Sequence, residues 1–109
     1  MLNKELNIKI MNLRKNKPSK SYDIYIDRRS SLGNPFYMAD ESARDKVCTM
    51  YNRWFDNELT KHNIPFWTDL LLLKSIYETD RKLRLFCWCT PKRCHGETIK
   101  KWLVENIYA

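Results

Sequence analysis

Glycine is nearly absent from this chain: its 109 residues hold only Gly33 and Gly96. Each therefore marks a place where the backbone itself has a requirement, rather than serving as filler. Long apolar runs are missing too. The longest leucine block, Leu70 to Leu73, is far shorter than a membrane span, so no membrane partner is expected. Lys4, Glu5 and Lys9 interrupt the N-terminus, which lacks the apolar centre of a secretory signal. A cytoplasmic location is expected, and there clustered cysteines are more often reduced, metal-bound or reactive than paired in disulfides. Internal repeats and low-complexity segments are lacking, and no stretch reads as a recognition helix, which argues against sequence-specific duplex binding.

What is present is a folded composition. Four tryptophans, six tyrosines and four phenylalanines supply apolar bulk that a disordered tail would not carry. The length suits a single domain over residues 1–109 with one modest core. A net charge of +7 favours an acidic partner: a nucleotide, nucleic acid, or an acidic protein surface. It is equally the charge of a lysine-rich solvated face.

In chain order, Leu6, Ile8 and Ile10 alternate with Asn7, Lys9 and Met11, predicting a strand over 6–13. The basic, proline-containing stretch Arg14 to Lys20 is a loop. Tyr22 to Ile26, aromatic and β-branched, is a second strand. It runs into a segment with two arginines, two hydroxyls, a glycine and an asparagine, from Asp27 to Phe36. Such a loop offers Arg28, Ser30, Gly33 and Asn34 to an anion through backbone N–H groups and a guanidinium fork. It equally reads as a turn in which Gly33 frees the backbone and Pro35 fixes the exit.

A capped start at Asp40 to Ser42, with Ala43, Val47, Met50, Tyr51 and Trp54 at helical spacing, predicts a helix to about Leu59. Cys48 lies beside that stripe as a core thiol. His62 falls in a surface linker, Pro65 blocks continuation, and Thr68 is the expected cap of a second helix with Leu70, Leu73, Ile76 and Tyr77 inward. Leu83 to Trp88, apolar apart from Arg84, suits the middle of a sheet covered on both sides. A last helix starts near His95 or Gly96, with Glu97 at the positive end of its dipole and Ile99, Trp102, Leu103 and Ile107 inward. The expected fold is a small two- or three-layer α/β domain: a short, mostly buried sheet of about three strands with about three helices.

Three cysteines and a histidine crowd into nine positions from Cys87 to His95. Cys87 and Cys89, two apart on a strand, face the same way, and the following loop returns Cys94 and His95 toward them. If a metal were held, Cys87, Cys89, Cys94 and His95 would be its ligands and zinc its identity. The contiguous spacing departs from the separated pairs that zinc sites use, so no metal or other cofactor is favoured. A thiol at a helix start beside Lys92 and Arg93 is activated, making Cys94, or Cys89, a candidate nucleophile with His95 as proton carrier and Glu97 as acid or base. The same helix start, around His95, Gly96 and Glu97, is an anion site if no bond is made. Equally, Cys87 and Cys89 are core packers and His95 a cap.

Taken together, Tyr25-Ile26-Asp27-Arg28, Gly33-Asn34-Pro35-Phe36, Cys87-Trp88-Cys89, Pro91 and Cys94-His95-Gly96-Glu97 resemble the domain-of-unknown-function family four-three-two-six, found in phages and bacteria. The likeness extends over a core of about 22–107 and includes Arg44. The first loop departs from it, with Asp27-Arg28-Arg29-Ser30 in place of a frequent Gly-Arg-Pro-Ser and Leu32 in place of a tryptophan. The resemblance implies a shared fold and a shared site of Arg28, Asn34, Cys89, Cys94 and His95, but no activity. A phage origin would place the chain in a host cytoplasm.

Two functions fit these observations. In one, Arg28, Ser30, Gly33, Asn34, Arg44, Cys89 and Gly96 bind a nucleotide or nucleic-acid component, and Cys94, His95 and Glu97 carry any chemistry. In the other, a non-enzymatic basic surface docks on an acidic host protein or nucleic acid, in host takeover or counter-defence, and the cysteines are structural. Convergence of the two motif loops in one pocket favours the first.

Overall fold

The computed structural model describes residues 6–107. The terminal residues 1–5 and 108–109 of the expected single domain lie outside the described part. Three strands form the sheet: β1 (Ile8–Asn12), β2 (Asp23–Tyr25) and β3 (Leu83–Cys87). The helices are α1 (Arg44–Lys61), preceded by one 3-10 turn at Glu41–Ala43, then α2 (Ile64–Asp80) and α3 (Gly96–Asn106). The small α/β domain read from the sequence is the architecture observed.

β3, last in sequence, is central in the order β1-β3-β2, and both neighbours run parallel to it. Its composition explains the position. Leu83, Leu85, Phe86 and Cys87 are fully buried, as a strand paired on both sides demands. Because all three strands are parallel, their carboxyl ends share one edge. The loops after β2 and β3 must emerge there side by side, where open α/β sheets place ligands.

Register separates the two sheet faces. Ile8 pairs with Leu83, while Ile10 and Ile24 both pair with Leu85, so these side chains share one face. That face packs with Tyr51, Phe55, Phe66, Leu70, Leu73, Tyr77, Ile99 and Leu103 from all three helices. The helices therefore gather on one side, and the domain has two layers. The other face carries Asp23, Arg84 and Phe86. There Arg84 lies 5.5 Å from the Tyr22 ring centroid and 5.6 Å from that of Phe86. Of the two- and three-layer arrangements the sequence allowed, the two-layer one is found, and the cover on this side comes from a guanidinium and the connection 13–22.

The α1–α2 joint also differs from expectation. α1 runs to Lys61, and His62 ends it in the left-handed region with φ of 58°. Asn63, not Thr68, caps α2: its side chain accepts the Phe66 N–H, and Pro65 sits in the first turn, where no N–H is needed. A proline read as a barrier is thus the start of the next helix, and Thr68 lies inside it.

Asp23 ties the far sheet face together. Arg84 donates to it through Nε at 2.6 Å and Nη2 at 2.7 Å, and the backbone N–H groups of Ser19 and Lys20 donate as well. The Arg84 hydrogen bonds, outweighing the cost of burial, hold its carboxyl down at about 2. A depressed carboxylate contributes stability above its ordinary range near pH 4 and loses it as pH falls toward 2. Asp23→Asn is expected to cost about 1–2 kcal/mol at pH 7, discounted for the solvent that Arg84 still sees. Urea unfolding checks this, and the gap between variant and parent should close as pH approaches 2.

Candidate functional site at the carboxyl edge of the sheet

The loop after β2 folds back on itself through its own polar groups. Arg28 donates from Nε to the Asn34 carbonyl at 3.2 Å and from Nη2 to the Phe36 carbonyl at 3.3 Å. Asn34 Oδ1 accepts the Phe36 N–H at 2.8 Å. Gly33 passes so close to the Asp27–Arg28 backbone that a Cβ there would lie 2.7 Å from Arg28 Cα. Its glycine is needed for that close approach, since its φ is not positive.

Three anchors fix this loop to the core. Tyr51 Oη donates to the Leu32 carbonyl at 2.6 Å, Ser31 donates from its N–H and Oγ to Asp69, and His95 reaches the Ile26 carbonyl at 2.6 Å. A carbonyl only accepts, so the His95 proton sits on Nε2 and Nδ1 is the bare nitrogen. Burial pushes the His95 pKa down, which favours this neutral tautomer.

The loop after β3 is tied at both ends. Asn12 Nδ2 donates to the Thr90 carbonyl at 2.6 Å, and Arg44 Nη1 donates to the Arg93 carbonyl at 2.9 Å. Arg44 also forks onto Glu41, at 2.8 and 2.7 Å. Trp88 Nε1 donates to Asp27 at 3.1 Å, joining the two loops directly.

Between the loops lies a cavity of about 370 Å³ lined by Arg28, Asn34, Arg44, Cys89 and His95, with Trp88, Phe36, Tyr37 and Met38 as apolar wall. The structure brings these five sequence-predicted residues together. Cys94 lies behind the wall, 3.7 Å from His95 Nδ1, and the others stay outside the cavity. Ser30 faces α2, where its Oγ contacts Asp69 and accepts the Leu32 N–H. Gly33 serves the turn. Gly96 is buried against the sheet, where a Cβ would meet Ile26 Cδ1 at 2.9 Å.

The helix start is not a free anion site either. Glu97 accepts the Cys94 N–H at 3.3 Å, Cys94 Sγ accepts the Gly96 N–H, and the N–H groups of Glu97 and Thr98 bond to the carbonyls of Cys94 and His95. Glu97 opens toward a separate groove of about 420 Å³ between α1 and α3, so it does not share the Cys89 cavity. Its position at the first turn satisfies a backbone donor, as a capping carboxylate does.

The thiols divide by environment. Cys87 and Cys94 are buried with sulfurs 3.0 Å apart, while Cys89 is partly exposed in the cavity. Hydrogen bonds from the Cys87 and Cys94 thiols, with Arg44 beside them, lower the Cys89 pKa; those of Cys87 and Cys94 rise in turn. Of the three, Cys89 is the thiol whose surroundings favour the ionised form, and Cys94 the one whose buried surroundings oppose it. Among the described residues, no three His, Cys, Asp or Glu side chains are arranged to hold a metal ion.

Sequence reasoning missed Asp69 and the wall residues Tyr37 and Met38. The wall follows directly on the Gly33–Phe36 motif, which was the available signal. Nothing local marks Asp69, since its role depends on α2 crossing the loop.

The sequence model of the family described as a domain of unknown function, DUF4326, matches residues 11–105, and the chain belongs to that family. No curated protein and no solved structure matches it.

His95 gives a direct test of this geometry. Its depressed pKa means that its contribution to stability is present above about pH 6.5 and is lost as pH falls through the folded-state value. Nitrogen NMR should find Nε2 protonated and Nδ1 bare at pH 7. Acidification from pH 7 to 5 should cost the parent more stability than His95→Gln.

Proposed function

We propose that this DUF4326 protein binds a nucleotide or a nucleic-acid-derived anion between its Arg28 and Cys89 loops. One observation carries the reading: residues far apart in sequence, Arg28, Asn34, Arg44 and Cys89, line one cavity at the carboxyl edge of a parallel sheet. The cavity has the volume of a single small ligand rather than a polymer.

The chemistry of its walls supports the class. Arg28 is exposed and forms no ion pair among the described residues, so its Nη1 can reach a phosphate oxygen. Arg44, occupied by Glu41 and the Arg93 carbonyl, supplies positive field instead of a free fork. Trp88 and Tyr37 are large exposed aromatics at the mouth, suited to stacking on a base. Asn34 spends its oxygen on the Phe36 N–H, which leaves Nδ2 to donate to a polar edge of the ligand. The net charge of +7 raises the local concentration of anions.

A second reading draws on the exposed cations Arg14, Lys15, Lys17 and Lys20 in the connection 13–22, which would meet an acidic protein or nucleic-acid backbone outside the cavity. The two separate cleanly by calorimetric titration with nucleoside mono-, di- and triphosphates. The cavity reading expects binding that weakens about tenfold or more in Arg28→Ala, the loss of a charge-assisted hydrogen bond, and that also weakens in Trp88→Ala. Absence of binding across the panel, or equal affinity of Arg28→Ala and parent, would contradict it. Arg28→Lys, which keeps charge but not the loop hydrogen bonds, separates ligand contact from loop support.

A further inference from the structure

A binding cavity has no need of a cysteine on its wall with two more thiols buried behind it. Cys87 and Cys94 lie with sulfurs 3.0 Å apart, and Cys89, two residues beyond Cys87 at the strand end, neighbours that pair. Only Cys89 of the three lines the open cavity, next to Arg44 and within the same walls as Arg28. Cys94 Sγ lies 3.7 Å from His95 Nδ1, the nitrogen left bare by the bond of Nε2 to the Ile26 carbonyl. The fourth cysteine, Cys48, borders the same cavity from α1, but it is buried and turns its thiol to the Arg93 carbonyl, so Cys89 is the more accessible of the two.

We propose that Cys89, Cys94 and Cys87 form a thiol–disulfide exchange centre, with Cys89 as entry thiol and Cys94 as resolving thiol, for a small disulfide bearing carboxylates that Arg28 and Arg44 attract. Entry through the cavity mouth brings the disulfide to Cys89. Its thiolate attacks one sulfur; the substrate S–S bond breaks, one thiolate leaves and takes a proton from solvent, and a mixed disulfide remains on Cys89. Cys94 then gives its proton to His95 Nδ1 and attacks the Cys89 sulfur. The second thiolate leaves with that proton, and a Cys89–Cys94 disulfide is formed. The substrate is reduced to two thiols as the two cysteines are oxidised. Cys87, whose sulfur lies 3.0 Å from that of Cys94, is the third thiol of the centre and backs the exchanging pair. An external dithiol reverses the sequence. The centre shares its cavity with the nucleotide reading but does not depend on it, because neither sulfur geometry nor exchange needs a bound base.

The test uses the whole reduced protein, glutathione disulfide as probe, an acid quench, maleimide capping and peptide mass spectrometry. A Cys89–Cys94 disulfide should form while Cys48 is recovered capped. In Cys94→Ser the glutathione adduct should stay on Cys89, and in Cys89→Ser oxidation of Cys94 should slow by at least about tenfold. Because a serine variant could fold poorly, iodoacetamide labelling of the unsubstituted protein gives an independent reading: Cys89 should label about tenfold or more ahead of Cys48. Equal labelling of the two, unchanged oxidation in Cys89→Ser, or one tightly held zinc that shields the three thiols until a chelator is added would overturn the proposal.

Discussion

The hydrogen bond from His95 Nε2 to the Ile26 carbonyl joins the first turn of α3 to the last residue before the Arg28 loop. It is the contact on which the carboxyl edge of the sheet depends. A buried carbonyl at a strand end has lost its ladder partner, and leaving it unpaired costs about 1–3 kcal/mol. His95 meets that need, and in doing so fixes its own tautomer and aims Nδ1 at Cys94. The ring is held in turn by Tyr51, whose edge lies 5.1 Å away between centroids and whose hydroxyl anchors Leu32 further along the same loop. One aromatic pair thus grips the loop at its start and its middle, and the cavity follows from the grip.

The scarcity of glycine belongs to the same constraint. Both glycines sit where this edge is tightest: Gly33 where the first loop folds over its own start, Gly96 where α3 presses on Ile26 and Ile10. Neither has a positive φ; each is small because a neighbour occupies the place of its Cβ. Among the described residues, the left-handed positions go instead to His62 and Arg81, at the ends of α1 and α2, where exposed side chains bear the modest strain.

Much of this was legible in the sequence, for physical reasons. Alternation marked β1, and unbroken burial marked β3 as central. Arg28, Asn34, Cys89 and His95 stand out in the sequence because clustered polar groups after a strand end have few structural reasons to be there, whereas Arg44, at a helix start, is marked only by the family resemblance. The errors fall where three-dimensional context decides. Thr68 looked like a cap because Pro65 looked like a barrier; Asn63 won because proline fits the first turn of a helix. Glu97 and Gly96 looked like ligand groups from their place at a helix start, but the helix uses both internally. Cys94 and Cys89 could not be ranked as nucleophiles from spacing, since exposure to the cavity separates them and spacing does not report exposure.

The most direct measurement is a proton–nitrogen NMR titration of the labelled protein with the nucleotide that calorimetry finds to bind best. The account predicts that amides of Arg28 and Asn34, the Trp88 indole and the Cys89 amide shift together and saturate with a single dissociation constant, while α2 amides near Leu71 and Leu72 stay still. Shifts confined to one loop, or strongest in the basic connection 13–22, would contradict the claim that the two loops form one site.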